Sequence, residues 1–472
     1  MKRTSMFKMV AGIALAMVLC FTMVLPALAV DYSKGENSEE PAMAAITKVF
    51  RMPINTPTPV AKFVFKFDKV GMNTPPDITN LDKMPAIPNV TIEYGGQSGA
   101  GIINIVGGDK LDIKQSGNFL VDSTGALLIG DVWGNGEGVY KYQVYENLEN
   151  PDKSSITSNP DVTNNDEEFS KAVYDIEVWV EKDEDGVLFP KYVVVIIVEG
   201  KEDEYYKNIG ENELPENGKV DPTPGGPGGE DEDKPDIEKT IEEDFSQVIF
   251  TNKYWQSDGP GDEDPDSNAL EIVKKITGNG ADQYMESEFE FKVNVIQPSI
   301  IKEEQTYKAW VMDTNGDNVT DVNNSSLMTD EFIVFTSNIA RTITLLPNEK
   351  LVFIDLHIGS IVEVEEKGDS SFVPTYQRTF PDTTVGKQAY TGTLGESWGF
   401  PRNTGSNLDK GPHYTIAGAN KNTVTFTNTV KNALPTGISV NDLPYIILIS
   451  VVVLALAGYL AFKIRSVKKS MV

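Results

Sequence analysis

Hydrophobic and polar residues alternate with period two over most of the chain, the pattern of strands with one buried face. Such runs include Ile46–Phe50, Phe63–Phe67, Gly101–Val106, Val139–Tyr145 and, around Asp185-Gly186, the hairpin Val173–Val180 and Tyr192–Val198. After an acidic stretch the pattern resumes with Leu270, Ile272, Lys274 and Ile276, then Glu288–Val295, Ala309–Met312, Phe332–Phe335, Thr342–Leu346, Leu351–Asp355 and Ile361–Glu365. Two short runs stand out: Val248-Ile249-Phe250-Thr251-Asn252 and Val424-Thr425-Phe426-Thr427-Asn428. In each, alternation puts an asparagine on the apolar face, where its carboxamide must find partners or react. No long helical period interrupts the strands, which predicts an all-β chain of two tandem immunoglobulin-like β-sandwiches.

The same reading places a lysine and a glutamate on apolar faces upstream of each asparagine. Lys48 precedes Phe63 by 15 positions and Lys274 precedes Phe289 by 15. Glu146 ends the face of Tyr142 and Val144, and Glu366 ends that of Val362 and Val364. Lys48 to Glu146 spans 98 positions and Lys274 to Glu366 spans 92. Lys275 and Lys62 compete for the lysine role, and Glu177, Glu363 and Glu365 are neighbouring acids, but face matching favours the first set. Burial lowers a lysine pKa and raises a glutamate pKa, so the pair tends to neutrality. A neutral amine beside a polarised carboxamide can attack it, expel ammonia and leave a side-chain amide. A neutral carboxyl is expected to donate to the asparagine carbonyl and relay the proton to the leaving group. The catalytic candidates are Glu146 and Glu366, and the crosslinked pairs Lys48–Asn252 and Lys274–Asn428. Each reaction runs once, without a cofactor, so the chain is not read as an enzyme.

The chain has 472 residues and a net charge of −29, which argues against nucleic acid as a partner. The organisation expected is a signal peptide at 1–29, with Lys2, Arg3 and Lys8 before an apolar run and Ala27-Leu28-Ala29 at its end. A disordered lead follows at 30–43 and a first sandwich at 44–256, with an acidic Gly/Pro-rich insertion at 200–244. A linker at 257–267 precedes a second sandwich at 268–430. Segment 433–472 holds an apolar span, 444–462, followed by Lys463, Arg465, Lys468 and Lys469; it is expected to cross the membrane as a helix with a cytoplasmic tail. The single cysteine, Cys20, lies in the signal run, so the mature chain has no disulfide. Asp313-Thr314-Asn315-Gly316-Asp317 lacks the spacing of a calcium loop and reads as a turn. With His357 and His413 the only histidines, no metal site is expected.

Leu434-Pro435-Thr436-Gly437 ahead of the apolar span and basic tail resembles the cell-wall sorting signal of Gram-positive surface proteins. The usual pattern is Leu-Pro-any-Thr-Gly, and the intervening residue is missing here, as in variant signals of some streptococcal-type pilins. The resemblance implies sortase cleavage between Thr436 and Gly437. The run Gly138-Val139-Tyr140-Lys141-Tyr142-Gln143-Val144-Tyr145-Glu146 with Phe250-Thr251-Asn252-Lys253-Tyr254 resembles the isopeptide-linkage domain of streptococcal-type major pilins, the T-antigen or FctA-like type. Gly359-Ser360-Ile361-Val362-Glu363-Val364-Glu365-Glu366 with Thr425-Phe426-Thr427-Asn428 is similar to the related CnaB-type domain. This implies a secreted, wall-anchored pilus shaft subunit, whose partners are a sortase and either neighbouring subunits or peptidoglycan. A monomeric wall-anchored adhesin with a host-surface ligand is the alternative. Lys191 and Lys239 are the candidate acceptors for polymerisation.

Overall fold

The computed structural model describes residues 32–73, 81–95, 102–106, 110–157, 165–208, 218–224, 245–258, 269–369, 371–379, 385–389, 397–399, 415–416, 422–431 and 443–469. The signal segment 1–29, Lys239, His413 and the motif Leu434–Gly437 lie outside these residues, as do most of 200–244 and of 257–267. The described chain is mostly β-sheet, in paired sheets consistent with immunoglobulin-like domains.

Four strands in each half carry the residues of interest, and are named here for them. In the first half these are the lysine strand Ala44–Pro53, the phenylalanine strand Val60–Asn73, the glutamate strand Gly138–Glu146 and the asparagine strand Ile249–Asp258. Their counterparts are Leu270–Thr277, Phe289–Ile296, Ile361–Lys367 and Asn422–Val430. In both halves the lysine and asparagine strands are parallel neighbours in one sheet. The phenylalanine and glutamate strands are antiparallel neighbours in the other. Side chains from the two sheets interdigitate into two separate cores, one around Phe50, Phe65, Tyr142 and Phe250, the other around Phe291, Phe335, Phe353 and Phe426. Burying a residue of this size contributes about 1.5–3 kcal/mol, so the polar triads sit inside the most stabilising part of each half.

Where the sequence suggests a disordered lead, Ser33–Lys34 pairs with Leu188–Ile197, and the Gly35 and Ala42 N–H groups donate to Lys191 and Pro190 carbonyls. Within the acidic stretch, Glu204–Asn208 forms a helical turn and Lys219–Val220 adds to the edge of Leu188–Ile197. The first asparagine strand continues beyond its own sheet: Ser257 and Asp258 pair with His357 and Leu356 of the second half. The Ile358 N–H donates to the Gln256 carbonyl at 3.0 Å, reinforcing this joint. Gly359 follows with φ of +84°, and a Cβ there would lie 2.4 Å from the Pro53 Cβ. Gly359→Ala is therefore strained twice, by its backbone and by the clash, and should destabilise the joint by about 1–3 kcal/mol. Thermal unfolding of the two halves followed separately would check this, since only their coupling should change.

The C-terminal segment corrects an expectation. Leu443–Lys469 is helical, but among the described residues no helix is long and apolar enough to cross a membrane. The transmembrane span expected at 444–462, and the single-pass precursor built on it, are not supported.

Candidate functional site: two buried lysine–glutamate–asparagine triads

Parallel register sets the first contact. Lys48 lies opposite Phe250 and Phe50 opposite Asn252, so Lys48 and Asn252 share a face on adjoining strands, two positions out of step. The second half repeats this, with Lys274 opposite Phe426 and Ile276 opposite Asn428. The glutamates reach across from the facing sheet, where Glu146 pairs with Phe65 and Glu366 with Phe291. Alternation then brings Phe63 and Phe289, two residues earlier, over the lysines. The amines sit 4.3 Å from the Phe63 ring centre and 4.1 Å from that of Phe289.

Both triads are assembled. The Asn252 Nδ2 donates to Glu146 Oε1 at 2.8 Å, and the Lys48 Nζ lies 3.9 Å from Glu146 Oε2 while donating to the Phe250 carbonyl at 3.1 Å. In the second half Lys274 Nζ and Asn428 Nδ2 converge on one oxygen, Glu366 Oε1, at 2.6 and 2.7 Å. Lys48, Asn252, Lys274, Glu366 and Asn428 are all 0% exposed, and Glu146 is 5% exposed. Desolvation pulls both lysines down to about 8, against the opposing attraction of their glutamates. Desolvation likewise pushes Glu146 and Glu366 up, against the lysine charges. Both shifts act in one direction, favouring the proton on the carboxylate over the nitrogen.

The competing residues lie elsewhere. Lys275 is exposed, Lys62 pairs with Asp152 near the surface, Glu177 pairs with Lys141, and Glu363 accepts from Asn294. One expected detail differs. The glutamate faces the asparagine amide nitrogen, not its carbonyl oxygen, in both halves, so it stands at the leaving group. The Asn252 Oδ1 instead accepts from the backbone N–H of Ser170 at 2.8 Å. Sequence alternation could not have found that donor, because it is a main-chain group beyond the end of a strand.

Of the acceptor candidates, Lys191 is half-buried, and its Nζ donates to the Glu36 carbonyl at 3.2 Å. The Asp313 turn is closed by its own carboxylate, which accepts the Asn315 and Asp317 N–H groups. Among the described residues no group of three or more His, Cys, Asp or Glu side chains could hold a metal ion.

An uncrosslinked chain should show these proton shifts in its stability. In the double variant Asn252→Ala/Asn428→Ala the lysines and glutamates remain but cannot be joined. Each lysine is lowered from 10.5 to about 8 on folding, so the unfolded chain binds more protons between those values and stability should rise with pH across that window. Each glutamate is raised above its ordinary 4.5, so stability is greatest below 4.5 and should fall as pH climbs through the folded value. The slope is about 1.4 kcal/mol per pH unit for each fully linked proton. Urea unfolding from pH 4 to 11 would measure both limbs.

A family model described as "Domain of unknown function (DUF7601)" matches residues 268–430. No curated protein matches the chain. Among solved structures, the chain is similar to the major pilin protein T3.2 of Streptococcus pyogenes at 14% identity, over 85% of this chain and 100% of that one, with a TM-score of 0.27. It is similar to another major pilin of Streptococcus pyogenes at 13% identity, over 83% of this chain and 99% of that one, with a TM-score of 0.27. A pilus-presented adhesin matches at 14% identity over 39% of this chain and 29% of that one, with a TM-score of 0.20. At TM-scores this low nothing about the function of the chain follows from these matches.

Proposed function

We propose that the chain is a cell-surface structural protein, a pilus shaft subunit whose two domains, 44–256 and 268–430, are each locked by an intramolecular isopeptide bond. The observation that carries this reading is the pair of triads, buried and placed at the same strand register in both halves. In each, the lysine nitrogen bonds to the asparagine Cγ, the Cγ–Nδ2 bond breaks, and the glutamate carries a proton from the amine to the departing ammonia. Lys48 would be joined to Asn252 and Lys274 to Asn428. The bond ties adjoining parallel strands, so a pull on either strand is borne covalently instead of by ladder hydrogen bonds worth about 1 kcal/mol each.

Secretion and surface attachment follow from the same reading, with sortase cleaving between Thr436 and Gly437 of Leu434-Pro435-Thr436-Gly437 and passing the threonine to a lysine of the next subunit. Lys191, in the strand Leu188–Ile197 beside the chain lead, and Lys239 are the candidate acceptors. Intact-mass and peptide analysis of residues 30–430 tests the crosslinks: a deficit of two ammonia molecules is expected, and free amines at Lys48 and Lys274 in folded protein would refute them. Wall extracts test the assembly. A covalent ladder that Lys191→Arg abolishes supports the shaft reading, and a single band of monomer mass supports the anchored adhesin in its place.

A further inference from the structure

The two triads differ at the carbonyl oxygen. In the second, Asn428 Oδ1 is buried without a hydrogen-bond partner among the described residues. In the first, Asn252 Oδ1 accepts the Ser170 N–H at 2.8 Å, and that donor is held by an acid from the start of the acidic insertion at 200–244. Asp203 is 2% exposed. Its Oδ2 accepts the Ser170 hydroxyl at 2.8 Å and the Thr251 N–H at 2.7 Å. Its Oδ1 accepts the Thr251 hydroxyl at 2.6 Å and the Tyr205 N–H at 3.0 Å.

Thr251 is the residue immediately before Asn252. Asn165–Glu168 pairs with the asparagine strand only from Lys253 onward, so at Thr251 the outer edge of that strand would have no neighbour. Asp203 supplies one, and through the Ser170 hydroxyl fixes the turn that aims the Ser170 N–H at the carboxamide. A single carboxylate thus sets the distance between donor and acceptor.

We propose that the Ser170 N–H is the oxyanion donor for the first crosslink and that Asp203 is the positioning residue that holds it there. This rests on the crosslinking reading and adds to it. When Lys48 Nζ bonds to Asn252 Cγ, the carbonyl π electrons move to Oδ1, and the negative charge forms against the Ser170 N–H. Glu146 takes the ammonium proton and delivers it to Nδ2, the carbonyl re-forms, and ammonia departs. No oxidant or second reactant is required. A donor already in place before charge develops needs no reorganisation, and removing one such donor slows acyl chemistry by roughly 10²–10³-fold.

The test follows ammonia loss by intact mass as the whole chain folds from denaturant, with the second crosslink as an internal clock. Exchanging Ser170 for its α-hydroxy acid replaces the N–H by an ester oxygen. The first loss should slow roughly 10²–10³-fold while the second keeps its rate. Asp203→Asn retains the shape of the side chain but cannot accept all four of its donors, and should slow the first loss at every pH. A purely electrostatic role predicts the opposite, because the Asp203 charge favours the protonated form of Lys48 and its removal would speed attack near neutral pH. Unchanged or faster first losses in both variants would overturn the assignment. A wild-type chain that loses no ammonia would instead overturn the crosslinking reading on which it stands.

Discussion

Glu146→Ala is expected to leave Lys48 and Asn252 unjoined, restoring one ammonia to the mass of the folded chain, and Glu366→Ala to do the same for Lys274 and Asn428. The glutamate is the only acid within reach of both nitrogens in each described site, so without it the amine has no base and the ammonia no acid. Glu146→Gln and Glu366→Gln should behave alike, since an amide keeps the shape but cannot carry the proton. Closing a loop as long as Lys48–Asn252 or Lys274–Asn428 stabilises the folded state by about 5 kcal/mol through the entropy of the unfolded chain. For domains of this size that is about 10–20 °C in the unfolding midpoint. The variant domain should also yield to trypsin under conditions in which its partner domain does not. Lys48 would keep its bond to the Phe250 carbonyl, so Glu146→Ala should still fold. Calorimetry and limited proteolysis on the same samples would measure the effect, and unaltered mass and midpoint in either variant would remove the glutamate from the mechanism.

Phe63→Ala and Phe289→Ala should act on the lysine itself. Each ring covers an amine at little more than 4 Å and is itself buried. Loss of a buried phenylalanine costs about 3–5 kcal/mol, and the space it leaves admits water to the nitrogen. The desolvation that brings the lysine to about 8 would then be relieved, and its pKa would return toward 10.5. At pH 7 the neutral fraction would fall by up to about 300-fold, with the crosslinking rate following it. Raising the pH toward 10 should restore the rate in these variants. Phe63→Leu, which keeps most of the apolar cover, should retain most of the activity at pH 7. Equal rates in Phe63→Ala and the parent chain at pH 7 would show that burial does not activate the amine.

Much of this site was legible in the chain because a period of two is a strong constraint. Alternation assigns each residue to a face, and a lysine, a glutamate and an asparagine on apolar faces, twice and in the same order, are few enough to be paired. The 15-residue spacing from Lys48 to Phe63 and from Lys274 to Phe289 already contained the aromatic cover. That the described chain is mostly β-sheet was legible for the same reason. Hydropathy served less well at the C-terminus, where an apolar run suggested a membrane span that the described helix does not support.

What the sequence by itself determined is therefore which side chains point inward, and so which six polar groups are buried together. Only the tertiary structure decided the parallel register that sets Lys48 and Asn252 two positions apart, the side of the carboxamide that each glutamate meets, and the reach of Asp203 into the first site. It also decided that the first asparagine strand runs on to pair with the second domain. These are relations between segments tens to hundreds of residues apart, fixed by sheet pairing and by main-chain donors that every residue except proline carries alike. A pattern of side chains records neither.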